Sequence, residues 1–265
     1  MASILDHLWC LLFPLHFEPC QDSCVDQIDF DHSKIKQTVS TALTSQIAKA
    51  LESQNKADSY LIAEEIVSRY LEQLPELSEL LRLDAQAASE KDPSVESIDE
   101  VILAYPGFLA LMTYRLAHKL SLLGVPLIPR MMSEVAHART GCDIHPDAKI
   151  GKSLFIDHAT GVVIGQTAVV GDRVTLFQGV TLGALALQER GQSIKRHPTI
   201  EDDVIIYANA TILGGDTVVG KRSIIGGSCW ITFSVEPDTK VILANPRAMI
   251  TQTKKAVEYI PNWDI

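Results

Sequence analysis

Three short stretches carry the side chains best suited to chemistry: Asp143 and His145 in "GCDIHP", Asp157 and His158 in "IDHATG", and Arg196 and His197 in "KRHP". A histidine with a carboxylate partner is what a general base requires. The carboxylate fixes the imidazole tautomer and stabilises the imidazolium formed when a substrate proton is taken. Asp143 and His158 are candidates for that pair, although their separation in the chain does not by itself bring them into contact. Each Asp or His taken alone is also a residue that caps turns through its side chain. A zinc site of His145, His158 and His197 is the other chemistry on offer, but no closely spaced histidine pair supplies a ligand framework, so no metal is expected. His7, His16, His32, His118 and His137 read as surface or packing residues.

Something regular must hold these residues. An aliphatic residue, once an alanine, returns every sixth position at Ile144, Ile150, Ile156, Val162, Ala168, Val174 and Val180. The pattern resumes at Ile200, Ile206, Ile212, Val218, Ile224 and Trp230, with glycines beside it. Hexapeptide repeats are the signature of a parallel β-helix, whose short strands meet at turns and whose coils stack. Stacking buries the aliphatic column and leaves turn residues outside, so polar groups that gather at particular turns are candidates for function. The segment "TLGALALQERGQSIKRHPT" breaks the repeat and reads as an extruded loop over 183–197, the kind of excursion on which solenoids build binding sites.

Before Gly141 the period is helical. Ile35, Val39, Leu43, Ile47 and Leu51 form one stripe, and Leu61, Ile62, Ile66, Tyr70 and Leu74 another. The chain therefore divides into an α-helical region over 1–140, a β-helix over 141–250 and a tail over 251–265.

Composition narrows the function classes. With 23 Lys plus Arg against 33 Asp plus Glu in 265 residues, the net charge of -10 has the wrong sign for a nucleic-acid backbone or an anionic membrane. Neither partner is expected, and any anionic ligand needs a local basic cluster. Five cysteines without a CxxC pair suit a reduced compartment, so the expected location is the cytoplasm. The apolar "LWCLLFPLHF" has no basic residue before it and is too short to span a bilayer, so it reads as a packing segment.

The stretches "YPGFLALMTYRLAHKL", "GCDIHPDAKIG", "IDHATGVVIGQTAVVGD", "LFQGVTLGA", "KRHPTIEDDVIIYANATILGG" and the terminal "NWDI" resemble the serine O-acetyltransferases of cysteine biosynthesis, from about Asp92 onward. The repeat alone would admit sugar, antibiotic and nucleotide-sugar acyltransferases; the ordered trio DIHP, DHATG and RHP selects this family. The resemblance implies an α+β fold, an N-terminal α-helical bundle followed by a left-handed parallel β-helix of hexapeptide repeats, an exception to the usual right-handed crossover. It implies a homotrimer or higher oligomer with active sites between neighbouring subunits. The implied reaction moves acetyl from acetyl-CoA to the hydroxyl of L-serine, giving O-acetyl-L-serine and CoA, with L-cysteine as a feedback inhibitor competing with serine.

By the same likeness His158 is the general base, Asp143 its orienting carboxylate, and His197 assists. Arg196 suits the serine carboxylate, and Asp157 and Asp92 suit its ammonium. A backbone N–H near Gly183 is placed for the oxyanion. Ala208 matches a position where the pantetheine lies against the coil, and Lys221, Arg222 and Arg247 are candidates for the CoA phosphates, the first two otherwise a solvated turn. Ile265 is expected to enter the active site of cysteine synthase, O-acetylserine sulfhydrylase. The loop after Gly183 is longer than the family's "TLGGTGK", and the residues before Asp92 look like a divergent branch. Two alternatives stay open: another hexapeptide acyltransferase with a sugar or amine acceptor, and a non-catalytic regulator acting on cysteine synthase through its tail.

Overall fold

The computed structural model describes residues 1–17, 32–185 and 195–244. Most of the loop 183–197, Arg247, Ile265 and the tail 251–265 lie outside the described residues. Seven helices come first: α1 (Ala2–Leu12), α2 (His32–Glu52), α3 (Ser59–Glu72), α4 (Leu74–Lys91), α5 (Ile98–Ala104), α6 (Pro106–Leu122) and α7 (Ile128–Thr140). The α2 stripe is buried at all five expected positions. The α3 stripe is shifted: Leu61 and Ile62 are exposed, and Ala63, Ile66, Val67, Tyr70 and Leu71 face the core, while Leu74 opens the next helix. Leu8, Trp9, Leu12 and Phe13 of the apolar N-terminal segment are buried in the helical core. No described helix is long and apolar enough to cross a membrane.

The strands after α7 form three parallel sheets, matching the left-handed β-helix. The first contains β1 (Asp143–Ile144), β4 (Val163–Ile164), β7 (Thr181–Gly183), β10 (Thr211–Leu213) and β13 (Trp230–Ile231). The second contains β2 (Lys149–Ile150), β5 (Val169–Val170), β8 (Thr199–Ile200) and β11 (Val218–Val219). The third contains β3 (Phe155–Ile156), β6 (Thr175–Leu176), β9 (Ile205–Ile206), β12 (Ile224–Ile225) and β14 (Lys240–Val241). The chain turns at three edges: the first between the third and first sheets, the second between the first and second, the third between the second and third.

Each hexad buries two side chains two residues apart, such as Val162 with Ile164 and Ala168 with Val170, because alternate residues of a strand face opposite sides. Two departures from strict sixfold spacing matter. Asp143 stacks on Val163, twenty residues on, whereas Val163 stacks on Thr181, eighteen on, so the first coil holds two extra residues. These fall in the turn 157–161. Later, Thr211 pairs with Trp230, nineteen residues on. That extra residue, around Gly214, moves the inward column to Val219, Ile225 and Ile231, all at most 2 % exposed. The expected inward positions Val218, Ile224 and Trp230 are corrected accordingly, and Trp230 is 67 % exposed.

Helix α6 serves both cores: Phe108, Met112 and Leu116 face the helices, and Leu111 and Tyr114 face the first coil. The seam is polar where it must be. Arg115 of α6 donates to both carboxylate oxygens of Asp84 of α4, at 2.6 and 2.9 Å, and to the carbonyl of Gly151 at 2.7 Å. Asp84 also accepts the Leu154 N–H at 3.0 Å. A buried pair with its remaining valences satisfied fixes the coil on the helices, since either charge left alone there is strongly unfavourable.

Candidate functional site

The extra residues of the first coil build the turn that carries Asp157 and His158. Other turns on this edge hold one left-handed residue each, Gly179, Asn209 or Ser228, but here His158 and Ala159 are both left-handed, with φ of 57° and 64°. For residues with a Cβ this costs about 1–2 kcal/mol apiece. The buried Ala159 methyl anchors the turn, the Val162 N–H closes it onto the Ala159 carbonyl at 3.0 Å, and the imidazole of His158 is turned outward, 70 % exposed. Its Nε2 lies 3.7 Å from the Asp157 carboxylate.

A third acid comes from the helical region. Asp92 follows α4; its carboxyl is held below the usual carboxylate range by hydrogen bonds from Ser94 and Tyr105, with a smaller contribution from His158. Asp92, Asp157 and His158 thus share the first edge. The next coils raise Phe177 and Tyr207 above Asp157, their rings stacked 4.9 Å apart, with half-buried Ala208 beside Tyr207. Gln178, the residue after Phe177, has a buried Oε1 without a hydrogen-bond partner.

Asp143 stands two residues beyond Gly141, whose carbonyl accepts the Gly161 N–H, so its strand leaves from the same corner. Its carboxylate is nevertheless turned to Arg130 of α7, at 3.6 Å, and Arg130 also pairs with Glu134. The expected Asp143–His158 contact is therefore not made within the chain: His158 meets Asp157 instead, because the lengthened turn swings its ring outward. Among the described residues, Glu134, His137 and Asp143 are close enough to share a metal ion, but Arg130 already supplies the cation there.

Arg196 and His197 occupy the second edge, across the first sheet from His158. Thr167 organises them. Its Oγ1 accepts the backbone N–H groups of Arg196 and His197, at 2.8 and 3.0 Å, and lies 2.8 Å from His197 Nδ1, which the Thr167 N–H also reaches at 3.1 Å. With both Oγ1 lone pairs taken, its proton goes to Nδ1. The hydrogen-bond network thus assigns the ring proton to Nε2. Burial, with Arg196 and His145 nearby, pulls the His197 pKa down to about 4, so the ring is neutral at pH 7 and offers Nε2–H as a donor. Arg196 Nη2 donates to Gln166 Oε1 at 2.9 Å. Gly165 makes room for the ring, since a Cβ there would lie 2.0 Å from His197 Cδ2. Gln166, Thr167 and the role of Gly165 escaped the sequence reading; the only signal was "GQT" at a coil turn one repeat before the loop.

Gly183 ends β7, opposite Leu213 and at the approach to the second edge. Lys221 and Arg222 lie on the third edge, away from both histidine clusters. Arg222 is held by Asp238 through two hydrogen bonds of 2.6 Å, which draw its guanidinium into a ladder of turns.

Residues 17–113 match the family described as serine acetyltransferase, N-terminal. The plasmid serine acetyltransferase of Synechococcus elongatus is 44 % identical over 262 residues, covering 94 % of this chain and 82 % of that protein. Among solved structures, the cysteine complex of Entamoeba histolytica serine acetyltransferase isoform 3 aligns with a TM-score of 0.81 at 33 % identity, over 94 % of this chain and 84 % of that one. The serine complex of the Neisseria gonorrhoeae serine acetyltransferase aligns with a TM-score of 0.61 at 33 % identity, over 80 % and 87 %.

Proposed function

The chain belongs to the serine acetyltransferase family and O-acetylates serine, and from that premise we infer how its own residues carry the reaction. The donor is acetyl-CoA, lying along the first edge past Ala208 with its thioester above the Asp157–His158 turn. L-Serine sits at that turn with its ammonium between Asp92 and Asp157. His158 takes the hydroxyl proton as the serine oxygen attacks the thioester carbonyl. The tetrahedral intermediate then expels the CoA thiolate, which recovers the proton from the imidazolium, and O-acetyl-L-serine leaves. A backbone N–H at Gly183 is our candidate donor to the oxyanion.

The observation that carries this reading is the meeting of Asp92 with Asp157 and His158 on one edge: two carboxylates for one ammonium, and a base beside them. Serine also brings a carboxylate, and the groups suited to it, Arg196 and neutral His197, stand on the second edge. A threefold assembly that sets the first edge of one copy against the second edge of the next completes the site, so we propose a homotrimer. Asp143 orients His158 in the loaded site after exchanging Arg130 for the imidazole. The described residues divide functionally at Gly141, helices supplying Asp92 and coils the rest.

The cysteine and serine complexes of the relatives support binding of both amino acids; we propose that the two share this site, with cysteine competing with serine. Cytoplasmic location and capture of the C-terminal Ile265 by cysteine synthase complete the proposal. The test is the rate of CoA release from acetyl-CoA with L-serine for the wild type and for His158→Ala of unchanged size in solution. Serine-dependent release that falls about a hundredfold or more supports the base; a folded variant of undiminished rate removes it.

A further inference from the structure

We propose that Tyr105 is a positioning residue for serine recognition, a phenol that holds Asp92 in the attitude the substrate ammonium requires. This rests on the assignment of Asp92 to the ammonium given above. Tyr105 is the elbow between α5 and α6: its extended backbone ends one helix, and Pro106 starts the other. Its hydroxyl reaches back thirteen residues to donate to Asp92 Oδ2 at 2.7 Å. On the other oxygen, Oδ1, Asp92 accepts the Ser94 N–H at 2.8 Å and the Ser94 hydroxyl at 2.7 Å. Three donors on one carboxylate keep it ionised and fix its plane, and with both lone pairs of Oδ1 taken it is Oδ2 that retains room for a further donor.

The second half of the device is the next glycine. A Cβ at Gly107 would lie 2.0 Å from the Ile156 carbonyl, so the first turn of α6 rests directly on the backbone immediately before Asp157. Tyr105 is thus two residues from the point where the helices touch the coil at its functional turn. Contact between backbones has little give, so an acid tied to Tyr105 keeps its distance from Asp157 and His158, although Asp92 itself sits in a half-exposed segment. The sequence "YPG" reads as a knuckle: a phenol for the acid, a proline to start the helix and a glycine for close approach. Direct contact between Tyr105 and substrate is not needed, so removing the hydroxyl should weaken serine binding and leave the chemical step alone.

Tyr105→Phe, Ser94→Ala and Asp92→Asn in the full chain, with KM for L-serine, KM for acetyl-CoA and kcat measured alongside the melting temperature, test this. Tyr105→Phe is expected to raise the serine KM about 5- to 10-fold, less than the roughly ten- to hundredfold worth of a direct hydrogen bond to a charged group because the phenol acts through Asp92, with kcat and the acetyl-CoA KM unchanged. Ser94→Ala should move the same parameter in the same direction and serves where the tyrosine variant folds poorly. A serine KM unchanged in Tyr105→Phe but raised in Asp92→Asn overturns the role of Tyr105 and keeps that of Asp92. A serine KM unchanged in Asp92→Asn overturns the ammonium assignment, and this inference with it. A fall in kcat with both KM values raised and a lower melting temperature makes Tyr105 structural only.

Discussion

The first and third edges of the β-helix are made by the same repeat, yet they treat charge in opposite ways. On the third edge each turn answers the next. Arg173 donates to both oxygens of Asp203 at 2.6 and 2.8 Å, Arg222 does the same to Asp238, and the backbone N–H groups of Lys152 and Asp172 go to Asp172 and Asp202. On the first edge Asp157 and His158 approach only to 3.7 Å, and the imidazole is left in solvent. Stacked turns can close their own charge ladders, so where a fold of this kind leaves charges open it has reserved them for something else. The two extra residues at 157–161 are the device that breaks the ladder.

The sharpest way to break that comparison is to remove one residue from each edge. His158→Ala should lower kcat by about 10²- to 10⁴-fold with the fold intact, the usual reach of a positioned base. A comparable loss on truncating a third-edge charge would erase the distinction between the edges. Next in size is the seam on which the functional turn depends. Asp84→Ala strands the Arg115 guanidinium, which is 3 % exposed, and should cost about 3–5 kcal/mol in urea unfolding. A loss below about 1 kcal/mol would mean that the seam is held by α6 packing alone.

Much of this was legible from residues alone, and what was not has definite causes. The sixfold recurrence from Ile144 gave the β-helix because aliphatic side chains must line a column two residues wide. The trio of Asp143, Asp157–His158 and Arg196–His197 stood out because turns need no such groups. But periodicity says that a residue lies at a turn without saying at which of three edges. That depends on the running sum of coil lengths, and the coils differ: the steps from Asp143 are 20, 18, 30 and 19 residues. Lys221 and Arg222 could therefore be read as CoA candidates or as a turn, and the structure puts them on the third edge, where the Arg222 guanidinium pairs with Asp238. The same uncertainty joined Asp143 to His158, where the chain alone gives Asp143 to Arg130. Thr167 and Tyr105 were invisible for another reason: each acts on a residue far away in sequence, by one hydroxyl.

The first and second edges differ as well, one with its imidazole exposed, the other packed and fixed. Arg196→Ala should raise the serine KM about ten- to a hundredfold, since it removes a charged pair to the carboxylate, and should leave the acetyl-CoA KM alone. Equal changes in both constants would move Arg196 from the acceptor to the donor. A smaller effect follows from His197, held at about 4 against an ordinary 6.5. Below pH 6.5 the unfolded chain takes up a proton that the folded one refuses, so stability contributed at neutral pH is lost as the pH falls toward 4. Urea midpoints at pH 5 and 7 should differ more for the wild type than for His197→Gln. An identical difference in the two proteins would show that the second edge does not hold its histidine neutral.

The smallest effect is expected at Arg222, a residue that the sequence offered either to a phosphate or to a solvated turn. Arg222 carries two short hydrogen bonds to Asp238, but both side chains are at least half exposed, and exposed pairs contribute little even when the geometry is good. Arg222→Ala should therefore leave the melting temperature nearly where it was. It should also leave the KM for acetyl-CoA unchanged, because the guanidinium is occupied and lies across the prism from Ala208 and His158. Asp238→Ala sharpens the measurement, since it frees the guanidinium without removing it. If acetyl-CoA then binds more tightly, the pair guards a phosphate site and the third edge is not merely self-satisfied; if neither variant moves that KM, charge closed within a ladder is charge withdrawn from function.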